Sequence, residues 1–99
     1  MIVERIKFYA DTPRGEKNKL FCFNCDILNL KDCLLRFILK GFNVRSAWYE
    51  KIDQDTGEII ENSRINDIQG YYEMAAALPK REKVRLSSSR VEDFQLLKK

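Results

Sequence analysis

Hydrophobic and polar residues alternate with a period of about two at the start of the chain. Residues 2–10 have one side that is clearly more apolar than the other, which is typical of a β-strand with one buried face. Residues 11–18 contain Pro13, Gly15 and several charges, and they predict an exposed hairpin loop. Residues 19–25 are rich in aromatic residues and cysteine, so we expect a second strand that pairs antiparallel with the first.

From Leu28 onward the spacing of apolar residues changes to three and four. This spacing continues to Leu39, and Gly41 follows as a stop signal, so the sequence predicts an amphipathic helix. Asn29 is a suitable N-cap residue, and Asn24 would serve if the helix began one turn earlier.

A second hairpin and a second helix follow. Residues 42–52 and 58–65 flank the string Asp-Gln-Asp-Thr-Gly at 53–57, which suits a type I turn closed by a glycine with positive φ. Residues 67–78 then place apolar side chains on a broad stripe that stops at Pro79, as expected for a helix that a proline ends.

The residues after Pro79 give shorter patterns. Residues 83–86 (KVRL) predict a short strand, and residues 89–92 match the S-x-x-E capping box that begins a short C-terminal helix. The expected fold class is therefore α+β, with two β-hairpins each followed by a helix (ββαββα). We expect one antiparallel sheet with helices on one face, plus a short C-terminal strand and helix.

Composition suits a small protein that folds in water. The chain has 99 residues, of which 44% are hydrophobic and 33% charged, and we expect a single domain over residues 1–99. No apolar run approaches the roughly 20 residues of a membrane span, and the charged N-terminal segment does not resemble a secretory signal. Because three cysteines cannot all pair with one another, we expect reduced thiols and a cytoplasmic location.

Histidine is absent from the sequence, which removes the most common general base and a frequent zinc ligand. Nucleophile pairs of the Ser-His and Cys-His types are thereby excluded. The four glycines are isolated from one another, so a glycine-rich phosphate loop is absent as well. We therefore expect a protein that is not an enzyme and holds no cofactor.

Cysteine spacing offers two chemical interpretations. Cys22 and Cys25 form a C-x-x-C motif, with Cys33 eight residues further on. A zinc site would need a fourth ligand such as Asp26 or Asp32, and a redox pair would need the motif at a helix N-terminus. On a regular strand an odd separation puts Cys22 and Cys25 on opposite faces. We therefore interpret the thiols as structural and keep redox and metal chemistry as alternatives.

Carboxylates in the second hairpin turn partly match a calcium-binding loop. Asp53, Asp55 and Glu58 supply oxygen ligands, but the sixth position holds Glu58 instead of glycine and the twelfth holds Arg64 instead of glutamate. We interpret this segment as a solvated turn that binds no metal.

Aromatic side chains on one exposed sheet face, beside cations, could stack on nucleic-acid bases. The rings on predicted strands are Tyr9, Phe21, Phe23, Trp48 and Tyr49, and the cations near them in sequence are Arg5, Lys7, Arg45 and Lys51. We interpret most of these rings as core residues, because a sheet packed by helices needs them there.

Positive charge is concentrated at the C-terminal end. The chain has a formal net charge of +3, and residues 79–99 contain seven Lys or Arg against three Asp or Glu. The cations are Lys80, Arg81, Lys83, Arg85 and Arg90, with Ser87, Ser88 and Ser89 among them. Such a segment can bind phosphates, although a charge run after a helix is more often a solvated connection.

These observations favour a small, non-catalytic interaction protein that binds a larger macromolecule stoichiometrically, as an adaptor or an inhibitor. Pro13 and Arg14 in the first loop, and Asp55 and Thr56 at the hairpin tip, are the protruding residues we expect to contact a protein partner. A nucleic-acid-binding regulator that uses the C-terminal cations is the main alternative, and a C-x-x-C redox or zinc protein is the third. We expect no membrane partner, and the sequence leaves the oligomeric state open.

Overall fold

The computed structural model describes residues 1–88 of the chain. Its elements in chain order are β1 (Ile2–Asp11), β2 (Lys19–Asn24), a 3-10 turn (Ile27–Asn29), α1 (Leu30–Leu39), β3 (Asn43–Asp53), β4 (Ile59–Arg64), α2 (Ile68–Ala77) and α3 (Lys80–Ser87). The order ββαββα that the hydrophobic spacing predicts is confirmed.

The four strands form one sheet in the order β2-β1-β3-β4, and each neighbouring pair is antiparallel. β1 lies inside the sheet, where Phe8 is opposite Phe21 on β2 and opposite Ala47 on β3. Since β2 and β3 both run antiparallel to β1, they are parallel to each other. α1, which connects them, therefore has to cross over a face of the sheet.

Phenylalanine rings fill the space between α1 and the sheet. Ile6 and Phe8 on β1 and Phe37 on α1 are fully buried. The ring of Phe37 lies 5.0 Å from the rings of both Phe8 and Phe23, and 5.2 Å from that of Phe42. These separations are typical of favourable aromatic pairs, so Phe37 is the point at which α1 is anchored to three strands or strand ends.

α2 and α3 pack mainly against α1. Leu35, Ala75 and Leu86, one from each helix, form a second buried cluster. α2 is also tied to the beginning of β3, because the Tyr72 hydroxyl accepts a hydrogen bond from Val44 N at 2.7 Å and donates one to Phe42 O at 2.9 Å. The predicted arrangement, with one antiparallel sheet and the helices on one of its faces, is confirmed.

Local hydrogen bonds determine where α1 begins and where it ends. Asn29 is the N-cap residue of α1, as predicted, but its side chain makes no capping hydrogen bond. The side chain of Asp26 instead caps the preceding 3-10 turn by accepting a hydrogen bond from Asn29 N, and the alternative cap at Asn24 is not used. Gly41 has φ +94°, and the hydrogen bonds from Gly41 N to Ile38 O and from Phe42 N to Phe37 O end the helix as a Schellman motif.

The strand predicted at residues 83–86 is wrong, because these residues lie within α3. Helical spacing brings Leu86 into the cluster with Leu35 and Ala75, and it brings Glu82 and Arg85 into an ion pair at 2.7 Å. The predicted C-terminal helix, which begins at residue 89, lies outside the described residues. Among the described helices, none is both long enough and apolar enough to cross a lipid bilayer.

Candidate functional site

The sheet has one face on which none of the helices α1–α3 packs, and we call it the helix-free face. The core is built from the even-numbered side chains of β1, so the odd-numbered side chains point to the opposite side. The pairing of β1 with β3 and of β3 with β4 then defines the members of this face. Its central residues are Arg5, Lys7, Tyr9, Trp48, Glu50 and Arg64.

Trp48 is the centre of the helix-free face. It lies opposite Lys7 on β1 and opposite Arg64 on β4. Lys7 Nζ is 5.6 Å and Arg64 Cζ is 5.8 Å from the centre of the indole ring, within the range of cation–π attraction. The ring of Tyr9 meets the indole edge-on at 6.0 Å. Within residues 1–88 neither Lys7 nor Arg64 forms an ion pair with a carboxylate, so both retain charge for an anionic ligand.

The neighbouring carboxylate on this face is neutralised by its own partners. Glu50 is only 1% exposed, and its Oε1 accepts a hydrogen bond from Arg5 Nε at 2.8 Å. Its Oε2 accepts one from Asn62 Nδ2 at 2.5 Å. A buried carboxylate requires such partners, and because they are present Glu50 opposes an anion near Trp48 only weakly.

A second ion pair, between Arg45 and Asp11, lies where β1 ends and β3 begins. The Arg45 guanidinium donates two hydrogen bonds to the carboxylate of Asp11, at 2.9 and 2.8 Å, and Asn18 N donates a third. The bonds from Arg45 and then that from Asn18 hold the pKa of Asp11 well below its usual range. Arg45 reaches this position because β3 has a bulge opposite Tyr9 and Ala10.

The rings that the sequence predicts as a stacking platform are divided between the two faces. Tyr9 and Trp48 are on the helix-free face, whereas Phe21 and Phe23 belong to the aromatic core. Tyr49 is buried and donates a hydrogen bond to Glu4. The interpretation of most rings as core is therefore confirmed, and two rings accompany the cations on the helix-free face.

Pro13 and Arg14 lie at a second site, which we call the loop groove. This groove has a volume of about 570 Å³. Its apolar side chains are Pro13, Phe21 and Phe42, and its polar ones are Thr12, Arg14, Glu16 and Lys40. The rings of Phe21 and Phe42 meet edge to face at 5.4 Å. The sequence analysis did not single out Phe42 and Lys40, which reach the groove only through the packing of α1 against β2.

The hairpin tip is held by contacts within the molecule. Asp55 Oδ2 accepts a hydrogen bond from the amino-terminal ammonium at 2.5 Å, and Thr56 Oγ1 accepts one from Glu58 N. The backbone N–H of Asp55 and the charge of the amino terminus lower the pKa of Asp53. In the described part of the chain, no three side chains of metal-ligating type are grouped to hold an ion.

The described part of the predicted basic segment lies on helix α3. Lys80 and Arg81 are exposed, Lys83 is half-buried, and Arg85 is paired with Glu82. This pairing raises the pKa of Arg85 and lowers that of Glu82. At helical spacing Lys80 is a neighbour of Lys83, and Arg81 is a neighbour of Arg85. Arg90 and Ser89 lie outside the described residues.

The C-x-x-C cysteines do not come together. Cys22 lies opposite Lys7 and so belongs to the helix-free face, whereas Cys25 belongs to the aromatic core. The prediction that an odd separation places them on opposite faces is confirmed. Cys25 instead contacts Cys33 of α1, with their sulfur atoms 2.8 Å apart, a pairing that the sequence analysis did not identify.

The chain was compared with known protein families, proteins and structures. No family model, curated protein or solved structure matches the chain. Function is therefore inferred from the side chains of this chain alone.

Proposed function

We propose that this is a small, non-catalytic interaction protein that binds a protein partner stoichiometrically through the loop groove. The observation that carries the proposal is the groove with an apolar lining of Pro13, Phe21 and Phe42, with charged Arg14, Glu16 and Lys40 at the same site. Protein interfaces of high affinity combine a desolvated apolar centre with a polar rim.

The chemistry of the groove specifies the partner. The rings of Phe21 and Phe42 would take one large apolar side chain, and the short loop would exclude water around it. Arg14 is exposed and, among the described residues, has no ion-pair partner. We therefore infer that the partner carries a carboxylate close to its apolar anchor residue.

Charge reversal at the groove tests this proposal. Arg14→Glu should reduce recovery of the partner by at least roughly tenfold, because it replaces an attractive contact by a repulsive one. Lys17→Glu is the matched control, since Lys17 is in the same exposed loop and does not line the groove. Each variant is used as bait in affinity capture, and the recovered proteins are quantified by mass spectrometry.

A supporting result is a protein that wild type and Lys17→Glu recover equally and Arg14→Glu loses. If all three baits recover the same proteins in the same amounts, the groove is not the binding site. A recovery that Lys17→Glu reduces as much as Arg14→Glu would indicate general electrostatics and would also contradict the proposal.

We propose a second function, binding of single-stranded nucleic acid on the helix-free face, because the row Lys7–Trp48–Arg64 favours it. An aromatic ring between two available cations is the arrangement that single-strand-binding surfaces use for a base and its flanking phosphates. Trp48 is the only tryptophan of the chain, so its fluorescence reports directly on the proposed site. The C-terminal cations predicted from the sequence would add electrostatic attraction.

Titration with an oligothymidylate tests the second function. We expect quenching of Trp48 fluorescence at low salt, weaker quenching at moderate salt, and a loss of affinity of roughly tenfold or more in Arg64→Glu. Lys31→Glu, which makes the same charge change at an exposed position of α1, should bind like wild type. Unchanged fluorescence at low salt would eliminate this function.

A further inference from the structure

The contact between Cys25 and Cys33 lies outside both proposed binding surfaces. Cys25 follows β2 immediately, and Cys33 is the fourth residue of α1. Their sulfur atoms are 2.8 Å apart, so the two side chains already point at each other. Joining them would require the sulfur atoms to approach by less than about 1 Å, because a disulfide bond is about 2.05 Å long.

The thiol pair is buried but borders a cavity. Cys25 and Cys33 are 6% and 5% exposed, and both line an open cavity of about 580 Å³ at the end of the sheet. Glu4, Asp26 and Arg36 also line it. A small polar reagent can therefore reach the sulfur atoms without opening the core.

The surroundings distinguish the two sulfurs. The hydrogen bond between Cys25 and Cys33 lowers the pKa of Cys33, and the positive charge of Arg36 acts in the same direction. The same hydrogen bond, together with burial, raises the pKa of Cys25. Burial, Asp32 and Asp26 oppose the ionisation of Cys33. Cys33, which is beside the positive charge of Arg36, is thus the thiol that ionises more readily.

We propose that Cys25 and Cys33 form a redox-active thiol pair, which a hydroperoxide entering the cavity oxidises to an intramolecular disulfide. The Cys33 thiol loses its proton, the resulting thiolate attacks the terminal peroxide oxygen, and the O–O bond breaks. The proton that Cys33 released is taken up by the leaving oxygen, so the products are a Cys33 sulfenic acid and an alcohol, or water from hydrogen peroxide. The Cys25 sulfur then attacks Cys33 Sγ, forming the S–S bond and releasing water. Two thiols lose two electrons and two protons, and the hydroperoxide gains them.

A dithiol reverses the reaction by exchange, which returns both cysteines to thiols. In the oxidised state the bond would join the end of β2 to α1 and enclose the 3-10 turn between them. That turn carries Ile27 and Leu28, which are 56% and 89% exposed. Oxidation would therefore fix the position of an exposed apolar segment without changing the sheet.

Peptide mapping tests the pairing directly in the wild-type protein. The native protein is treated with hydrogen peroxide near equimolar amounts, its remaining thiols are alkylated, and it is digested with trypsin without reduction. Cleavage after Lys19, Lys31 and Arg36 places Cys22 and Cys25 in peptide 20–31 and Cys33 in peptide 32–36. We expect these two peptides to be linked, with one alkylated cysteine identified by fragmentation as Cys22.

The alternatives give different masses. A Cys22–Cys25 disulfide would leave peptide 32–36 free and would remove two hydrogens from peptide 20–31 alone, and this result would overturn the proposal. Recovery of three alkylated thiols, or of sulfinic acid without any linked peptide, would overturn it as well.

Four further samples test the dependence on the fold and the role of Cys33. Cys22→Ser should still form the linked peptides and should retain no free thiol after oxidation. Oxidation in denaturant should lose the preference for the Cys25–Cys33 link, since the preference comes from the fold.

Arg36→Gln should slow the alkylation of Cys33 near neutral pH and shift its pH profile upward, and Arg36→Lys should restore the profile.

Discussion

The side chains on the two faces of the sheet make different kinds of contact. On the helix-covered face the ring of Phe8 packs against those of Phe21, Phe23 and Phe37 at distances of 5.3, 6.1 and 5.0 Å. On the helix-free face the contacts are ion pairs and cation–π contacts, centred on Glu50 and Trp48. Apolar burial is the main source of stability, whereas ion pairs contribute little net free energy, because the cost of desolvation offsets their attraction. The first face therefore determines folding, and the second is free to bind.

The largest effect is expected on the helix-covered face. Phe37→Ala should reduce the free energy of unfolding by about 3–5 kcal/mol, because it leaves a cavity among three rings. Urea denaturation measures this change. Leu28→Ala is the control, since Leu28 is 89% exposed and its loss should cost less than about 0.5 kcal/mol. Equal costs at the two positions would mean that the rings do not anchor α1.

A smaller effect is expected on the helix-free face. Arg5→Met should reduce the free energy of unfolding by about 2 kcal/mol. The buried carboxylate of Glu50 would lose the guanidinium and keep, among the described residues, the hydrogen bond from Asn62. The double variant Arg5→Met with Glu50→Leu should recover most of this loss, since it removes the charge that needs a partner. Chemical denaturation of both proteins checks the prediction, and a double variant less stable than the single one would contradict it.

Tyr72→Phe should cost about 1 kcal/mol, because Val44 N would lose the hydroxyl that accepts its hydrogen bond. The neighbouring change Tyr71→Phe removes a hydroxyl that takes no part in this contact and should have less effect. Thermal denaturation of the two variants side by side gives the comparison. The tie between α2 and β3 would be unimportant if both variants melted at the wild-type temperature.

The smallest effect should depend on pH. The pKa of Asp11 is lower in the folded protein than its ordinary value of about 3.9. The ionised carboxylate of Asp11 therefore makes its full contribution to stability at pH values above the ordinary pKa. The contribution is lost as pH falls toward the folded pKa. Asp11→Asn should therefore flatten the fall in melting temperature between about pH 5 and 2. An unchanged slope in this variant would show that the Asp11–Arg45 pair does not stabilise the fold.

Periodicity was sufficient to predict most of the secondary structure. The row Ile6, Phe8 and Ala10 predicts β1, and the glycines at 41 and 57 end their elements with positive φ. Residues 83–86 were misassigned because four residues suit either a strand or a helix. The contact of Leu86 with α1 and α2 decides between them, and this contact is tertiary.

The candidate sites were less predictable, because they depend on register and on packing between distant segments. The bulge at Arg45 reverses the alternation along β3, so the sequence alone could not assign Trp48 and Tyr49 to their faces. The C-x-x-C spacing drew attention to Cys22, whereas the partner of Cys25 lies on α1. The alternation along β2 could have indicated where Cys25 lies, since residues 21, 23 and 25 point to the same face and Phe21 and Phe23 are core residues.

The internal position of β1 has a consequence for synthesis of the protein. β1 precedes β3 in the chain, and its pairing with β3 places Ile2 opposite Asp53, so this pairing must wait until Asp53 has left the ribosome. Closing such a long loop is slower than forming a local hairpin. The backbone edge of β1 that pairs with β3 therefore stays open until residues up to Asp53 have been synthesised, and in that interval the nascent chain is exposed to chaperones and to edge-to-edge aggregation.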